Sequence, residues 1–168
     1  GGPAPEKITD AIFAKTKTIA SYKIASARGV DIGKIGITSV GDMKVEVVDP
    51  VADYATLMQQ IFDFDAIRDL FKTGFRMRFD AMSAITGPYG EVILEGMLGA
   101  PAGTVMNGTP LPDFGGHHPD PNLVHAKELY DLMMSEAAPD FGAASDGDGD
   151  RNLIIGRNQF VTPSDSLA

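Results

Sequence analysis

The sequence predicts an α/β protein: a three-layer domain with helices on both faces of a mixed, mostly parallel sheet, preceded by part of another domain. The main observation is that strand-like and helix-like segments alternate from about Asp49 onward, because such alternation favours a largely parallel sheet. The second is the length of 168 residues with a hydrophobic content of 43%, which suits a folded core of one large or two small domains.

Residues 1–48 contain too few elements for a complete domain. A helix is predicted from about Pro5 to Ile24, where three isoleucines share one face. An irregular glycine-containing stretch and the strand-like segment "MKVEVVD" follow. We therefore expect residues 1–48 to be the C-terminal part of a first domain.

A domain boundary is predicted at "DPV", Asp49 to Val51, because aspartate followed by proline is a typical helix start. Residues 49–168 then form the second domain. Its predicted elements are the helix after Pro50, the helix "FDAIRDLF", the strand "FRMRFDAM", the helix "GPYGEVILEGML" ending at Gly99, the strand "GTVMNGT", the helix "NLVHAKELYDLMMS" and the strands "DFGAA", "NLIIG" and "QFV".

The two ends of the chain suggest a piece of a longer protein. The first residue is Gly1 instead of methionine, and Thr162 with Pro163 resembles the start of a helix that has no room to continue. We therefore expect the chain to be a fragment, with parts of the whole protein missing from it.

Composition argues against several classes of function. The net charge of -9 offers no basic stripe for the phosphates of a nucleic acid, so no nucleic-acid partner is expected. No apolar run approaches the ~20 residues of a membrane span, so no membrane partner is expected. The absence of cysteine excludes disulfides, thiolate metal sites and cysteine nucleophiles, and it fits a cytoplasmic protein.

The segment "SDGDGDRN", Ser145 to Asn152, has the pattern of a metal-binding loop. Asp146, Asp148 and Asp150 repel one another unless a cation lies among them, and the intervening glycines allow a tight turn. The alternative is a solvated acidic turn, since aspartate and glycine are both common in turns. The loop directly follows the strand "DFGAA", and ligands of open α/β sheets bind beyond the carboxyl ends of the strands.

The residues after the aspartates argue against a calcium loop of the EF-hand type. Arg151 replaces the glycine of the sixth position, and Arg157 replaces the glutamate of the twelfth. An arginine beside a metal indicates phosphate, because its planar guanidinium donates well to phosphate oxygens. Three aspartates, one arginine and one divalent cation sum to zero charge, which would let a phosphoryl group approach the metal as a further ligand.

Four segments, "GGPAPEKITDAIF", "FDAMSAITGPYG", "DFGGHHPDPNL" and "FGAASDGDGDRN", strongly resemble the phosphoglucomutases of the α-D-phosphohexomutase superfamily. The resemblance covers essentially the whole chain. It implies an enzyme of four domains around a cleft. In that enzyme a phosphoserine of the first domain exchanges its phosphoryl group with glucose 1-phosphate and glucose 6-phosphate through glucose 1,6-bisphosphate.

Carried onto this sequence, the resemblance implies that Asp146, Asp148 and Asp150 bind Mg²⁺, with a phosphoserine oxygen as the fourth ligand. Asp150 and Arg151 are implied to contact the phosphorylated sugar. Residues 1–48 become the end of the phosphoserine-bearing domain. The chain lacks the family's phosphoserine segment, sugar-recognition loop and phosphate-binding fourth domain. We therefore expect no catalytic nucleophile within it, and no activity without the remaining domains.

The other polar candidates have weaker patterns. His117 and His118 lie in a loop fixed by Pro119, where contact with the cleft, hydrogen bonds that hold the loop and zinc binding are three alternatives. Ser83 lacks the glycines of a nucleophile elbow, and Ser145 is interpreted as a residue that shapes the loop. The functional alternative to the mutase is a metal-binding module that acts through partner contacts without catalysis.

Overall fold

The computed structural model describes residues 3–24 and 26–167, and it divides the chain into two compact units, Gly1–Val48 and Asp49–Ala168. The first unit holds α1 (Glu6–Thr16) and the antiparallel pair β1 (Gly36–Val40) and β2 (Met43–Val47). No helix of the described residues is long and apolar enough to cross a membrane.

The first unit differs from the sequence prediction in two respects. The helix predicted to reach Ile24 ends at Thr16, where threonine side chains close the last turns: the hydroxyls of Thr16 and Thr18 donate to backbone carbonyls three residues earlier. Side chains that bond to nearby backbone in this way compete with helix continuation. The stretch predicted to be irregular contains β1, which becomes a strand by pairing with β2.

The second unit holds most of the predicted elements. The side chain of Asp49 accepts N–H bonds from Val51 and Ala52 and so caps the first helix, as its position before proline predicts. The helices are α2 (Ala52–Ile61), α3 (Phe64–Lys72), α4 (Thr86–Gly90, continued by a π-helix over Glu91–Met97), α5 (Lys127–Met133) and α6 (Pro163–Leu167). The strands are β3 (Met77–Asp80), β4 (Val105–Met106), β5 (Phe141–Ser145), β6 (Asn152–Gly156) and β7 (Gln159–Val161).

The five strands form one mixed sheet in the order β4-β3-β5-β6-β7. β4, β3 and β5 are parallel, whereas β5 with β6 and β6 with β7 form antiparallel pairs. Only β6 therefore runs against the common direction, which confirms the prediction of a mixed, mostly parallel sheet. The carboxyl ends of β3, β4 and β5 lie at one edge, where ligands of such sheets bind.

Helix α5 covers one face of the sheet. A Cβ at Gly142 would lie 2.8 Å from the sulfur of Met133, so the glycine lets this helix approach the strand closely. This face holds the main apolar core. Complete burial of one aliphatic side chain there contributes roughly 1.5–3 kcal/mol. The core consists of Met82, Ala126, Leu129, Met133, Ala144, Leu153 and Ile155.

Helix α4 covers the opposite face, so the unit has the three layers that the sequence predicts. A Cβ at Gly90 would lie 3.0 Å from the ring of Phe79. Phe79 pairs with Ala143, whose side chain points away from the α5 face, because Gly142 and Ala144 on either side of it face α5. The predicted end at Gly99 is confirmed by its φ of 77°.

Helix α5 begins later than the sequence predicts. The carboxamide oxygen of Asn122 accepts the N–H groups of Val124 and His125 over 2.9 and 3.0 Å. Asparagine favours such capping turns over helix interior. Residues 122–126 therefore form turns, and the helix extends only over Lys127–Met133.

Candidate metal centre

The aspartate loop, residues 146–151, connects β5 and β6. Ser145 and Asn152 are the last pair of this hairpin, and the N–H of Asp146 donates to the carbonyl of Arg151 over 3.2 Å. The hydroxyls of Ser145 and Thr86 share a hydrogen bond of 2.6 Å below the loop. The loop thus begins and ends at one point on the carboxyl edge of the sheet.

Gly149 is required by the shape of the aspartate loop. Its φ is 82°, a left-handed value that favours glycine, and a Cβ there would lie 2.7 Å from the Cγ2 of Thr86. Gly147 packs against the loop that carries Pro119, since a Cβ at Gly147 would lie 3.3 Å from the Cγ of Pro119. The turn that brings the carboxylates together therefore depends on the glycine between Asp148 and Asp150.

The three aspartates of the loop converge. One carboxylate oxygen from each of Asp146, Asp148 and Asp150 lies within 4.8 Å of the other two. The negative charge of Asp148, and to a smaller extent that of Asp146, raises the pKa of Asp150. A cation bound among the three carboxylates would relieve this repulsion. An all-carboxylate set suits a hard divalent cation such as Mg²⁺, and three such ligands fill half of its octahedral shell.

Arg151 provides a positive charge within the loop. The side chain of Asp146 is only 2% exposed. Its Oδ1 accepts the backbone N–H groups of Gly149 and Arg151, and its Oδ2 accepts the Nε–H of Arg151 over 2.8 Å. Burial alone raises the pKa of Asp146, but the hydrogen bonds from the backbone and side chain of Arg151 outweigh it and lower the pKa to about 2.

Asp120 also contacts the aspartate loop, through Arg151, and the sequence reasoning missed it. Its Oδ1 accepts the Nη1–H of Arg151 over 2.8 Å, and its Oδ2 accepts the amide of Asn122 over 2.9 Å. Arg151 therefore bridges two carboxylates from separate loops. The signal available in the sequence was the segment "HHPDPN", which carries Asp120 between two prolines.

Residues 52–159 match the sequence model described as "Phosphoglucomutase/phosphomannomutase, alpha/beta/alpha domain II". The chain belongs to this phosphoglucomutase/phosphomannomutase family. The match includes the whole aspartate loop and Asp120.

Several phosphoglucomutases are similar to this chain over its full length. The phosphoglucomutase of Rhizobium radiobacter is 67% identical over all of this chain, which spans 31% of that relative. The chloroplastic phosphoglucomutase of Solanum tuberosum is 54% identical, and the chain spans 27% of it. The crystal structure of the phosphoprotein pp63/parafusin, a phosphoglucomutase from Paramecium in its open form, matches all of the chain and 32% of its own length, with 42% identity and a TM-score of 0.82.

The other residues singled out from the sequence, Ser83, His117, His118 and Ser145, lie outside the aspartate loop, and Ser145 directly precedes it. Ser145 is buried and bonds to Thr86, an arrangement that supports its interpretation as a loop-shaping residue. Ser83 follows β3 and has a φ of 54°. It lines a polar cavity of about 260 Å³ together with His117 and His118.

The floor of this polar cavity is the buried carboxylate of Asp80. Its Oδ1 accepts the N–H of Met82 and the amide of Asn107, each over 2.9 Å. Burial raises the pKa of Asp80 and outweighs these two hydrogen bonds. Met82, Ser83 and Asn107 all have positive φ, so the cavity wall carries backbone strain of a kind that clusters at functional sites.

Proposed function

We propose that the chain supplies the Mg²⁺-binding part of an enzyme that interconverts glucose 1-phosphate and glucose 6-phosphate. The observation that carries the proposal is the convergence of three carboxylates beside Arg151, at the carboxyl edge of the sheet, in a member of the phosphoglucomutase/phosphomannomutase family. The chain spans about 30% of its bacterial relative, so the activity belongs to the longer protein.

Asp146, Asp148 and Asp150 are the residues that would hold Mg²⁺. When bound, the ion supplies Lewis-acid stabilisation of the charge on a transferring phosphoryl group. Asp146 is the fixed member of the set, because it is buried and held by the loop backbone. Asp148 and Asp150 are exposed and can adjust to the ion and to an incoming phosphoryl oxygen.

Arg151 and Asp150 are proposed to contact the phosphorylated sugar. The Nε and Nη1 of Arg151 donate to Asp146 and Asp120, while its Nη2 has no hydrogen-bond partner among residues 3–24 and 26–167. The side chain is 62% exposed, so a phosphate can reach this free edge of the guanidinium. The two carboxylates fix the plane in which Arg151 presents its remaining donors.

The nucleophile is proposed to be a phosphoserine in the first domain, of which residues 1–48 would be the end and residues 49–168 the following domain. The phosphoserine oxygen would be the fourth metal ligand, and glucose 1,6-bisphosphate the intermediate. In-line transfer needs the attacking and leaving oxygens held in place, and well-oriented reactants can be worth on the order of 7 to 11 kcal/mol of barrier. A cytoplasmic location and the absence of a nucleic-acid partner remain predictions from composition.

The first test measures Mg²⁺ binding by calorimetry. The 168-residue chain should bind one Mg²⁺ weakly, because half of the octahedral shell is still water. The double variant Asp148→Ala, Asp150→Ala should show no measurable binding. The matched control Asp131→Ala, Glu136→Ala removes two exposed acids outside the loop and should bind as the parent does. Equal binding by the loop variant and the parent would refute the metal assignment.

The second test separates the mutase from a non-catalytic metal-binding module. The full-length protein, given Mg²⁺ and glucose 1,6-bisphosphate, should form glucose 6-phosphate from glucose 1-phosphate in a coupled assay. The 168-residue chain alone should show no turnover, since it is proposed to lack the nucleophile and the sugar contacts. Mg²⁺ binding without turnover by the full-length protein would favour the module. Turnover by the short chain that disappears in Asp148→Ala would place a nucleophile within it.

A further inference from the structure

A second group of metal-ligand side chains lies beside the aspartate loop. His118, Asp120 and His125 each offer one ligand atom, an imidazole nitrogen or a carboxylate oxygen, and these atoms lie within 4.8 Å of one another. Two imidazoles with one carboxylate form a mixed nitrogen and oxygen set. Such a set suits Zn²⁺ and other borderline cations, in contrast to the oxygen set of the aspartate loop.

The backbone between the two histidines brings them together. Asn122 accepts the N–H groups of Val124 and His125, which turns the chain back on itself. The N–H of Asp120 donates to the carbonyl of His118 over 2.9 Å, and the N–H of Asn122 donates to the carbonyl of Asp120 over 2.8 Å. The imidazole rings of His118 and His125 stack at 4.8 Å with 22° between their planes. These contacts hold the three side chains close to one another.

The imidazole nitrogens are available as ligands. No nitrogen of either ring has a hydrogen-bond partner among residues 3–24 and 26–167, and both residues are exposed. Neutral imidazole is the form that binds a metal.

Asp120 can bind a cation without losing its orienting contact. Each of its oxygens accepts one hydrogen bond, from Arg151 and from Asn122, and each carboxylate oxygen has a second lone pair. The amide of Asn122 donates to the carboxylate of Asp120 and fixes its orientation, an arrangement typical of metal ligands. The same asparagine both positions Asp120 and turns the chain towards His125.

We propose that His118, Asp120 and His125 form a second metal site, specific for a Zn²⁺-type cation, with water completing its coordination. Tetrahedral bonds of ~2.0–2.1 Å place ligand atoms about 3.3 Å apart, so the three ligand atoms must move closer together. One of the stacked rings must also rotate, because each nitrogen lone pair lies in its ring plane and two nearly parallel planes do not converge on a nearby ion. Exposed histidines can make both adjustments by side-chain rotation.

The second site is coupled to the aspartate loop through Asp120. The guanidinium of Arg151 and a cation at the histidines would share the same carboxylate and repel each other. A bound cation weakens the hold of Asp120 on Arg151, and loss of the arginine charge strengthens cation binding. The test of this second site does not depend on the proposed mutase activity, because it measures metal binding alone.

The experiment titrates Zn²⁺ into the full-length protein by calorimetry, with excess Mg²⁺ present to occupy the aspartate loop, and repeats the titration with Co²⁺ to record its visible absorption. His125→Gln should lose one Zn²⁺ equivalent or weaken it at least tenfold, and the Co²⁺ band of imidazole coordination should fall with it. The matched control is His117→Gln, which changes the neighbouring histidine that lines the same cavity but lies outside the ligand group. It should stay within twofold of the parent.

A second variant tests the coupling. Arg151→Gln leaves all three ligands in place and removes the competing charge, so Zn²⁺ should bind at least threefold more tightly. Circular dichroism checks that each variant is folded. Equal Zn²⁺ binding by His125→Gln and the parent, an equal loss in His117→Gln, or no Zn²⁺ binding by the parent would overturn the site. Unchanged or weaker Zn²⁺ binding by Arg151→Gln would overturn the coupling.

Discussion

Asp80 and Asp146 lie at the carboxyl ends of neighbouring strands, and their pKa values shift in opposite directions. Asp80 ends β3 and Asp146 follows β5, the neighbouring parallel strand. The two residues are 3% and 2% exposed. Burial raises the pKa of Asp80, whereas the pKa of Asp146 is lowered to about 2.

The donors around each carboxylate account for the difference. Asp80 accepts two neutral hydrogen bonds, both on one oxygen. Asp146 accepts two backbone hydrogen bonds on one oxygen and the charged Nε–H of Arg151 on the other. The pKa values of two buried aspartates at one sheet edge therefore shift in opposite directions because only Asp146 accepts a hydrogen bond from a guanidinium. The comparison makes Arg151 the residue that keeps Asp146 charged.

The largest effect is expected for Arg151→Lys in the full-length protein. Lysine keeps the charge but loses the planar fork that donates to both Asp146 and Asp120 and that is proposed to hold a phosphate. Turnover of glucose 1-phosphate should fall about 100-fold, the range for loss of one preorganised donor, while the Mg²⁺ affinity changes less than about threefold. Steady-state kinetics and calorimetry measure the two. Unchanged kinetics would show that Arg151 is only a structural neighbour of the loop.

The next effect is on stability, for Asp146→Asn in the absence of metal. The substitution removes the charge that accepts the Nε–H of Arg151 and turns one acceptor oxygen into a donor facing that arginine. The free energy of unfolding should fall by about 2 kcal/mol, as for hydrogen bonds to charged groups. Urea denaturation of the 168-residue chain with a chelator present measures it. Asp131→Asn, an exposed acid on α5, is the control and should stay within about 0.5 kcal/mol of the parent.

Asp80→Asn should have a smaller effect of the opposite sign. The asparagine oxygen can still accept from Met82 and Asn107, and the cost of a buried charge disappears. The free energy of unfolding should be unchanged or rise by up to about 1 kcal/mol. Asp80→Ala is the informative partner, because it leaves both donors unpaired and should cost about 1–3 kcal/mol. A loss in Asp80→Asn as large as that in Asp146→Asn would contradict the comparison.

Much of the fold was predictable from the sequence because its signals are local. Hydrophobic periodicity placed β3, β5, β6 and β7, and capping residues marked the starts of α2 and α6 at Asp49 and Thr162. The errors occurred where long-range or competing contacts decide. β1 is a strand through pairing with β2, and the turns before α5 replace predicted helix because Asn122 bonds to the backbone.

The candidate site shows the same division. The alternation of aspartate and glycine in 146–151 predicted that the carboxylates converge, which the structure places within 4.8 Å. Asp120 could not be predicted as a partner of Arg151, because the two are 31 residues apart and meet only through packing of two loops. The burial of Asp80 and the stacking of His118 on His125 likewise depend on the tertiary fold.

The smallest expected effect is the pH dependence of stability, which should have opposite signs for the two aspartates. The raised pKa of Asp80 means that its contribution is fully present below the unfolded pKa of about 3.9 and is lost as the pH rises through its folded pKa. The lowered pKa of Asp146 means that its contribution is present above about 3.9 and is lost as the pH falls towards about 2.

Relative to Asp80→Asn, the parent should therefore gain stability as the pH falls from 7 to 4. Relative to Asp146→Asn, the parent should lose its advantage as the pH falls below 4. Urea denaturation of the three proteins between pH 2 and 7, with a chelator present, measures both differences, each expected to be at most about 1.4 kcal/mol per pH unit. Differences that change in the same direction with pH would show that Arg151 does not distinguish the two carboxylates.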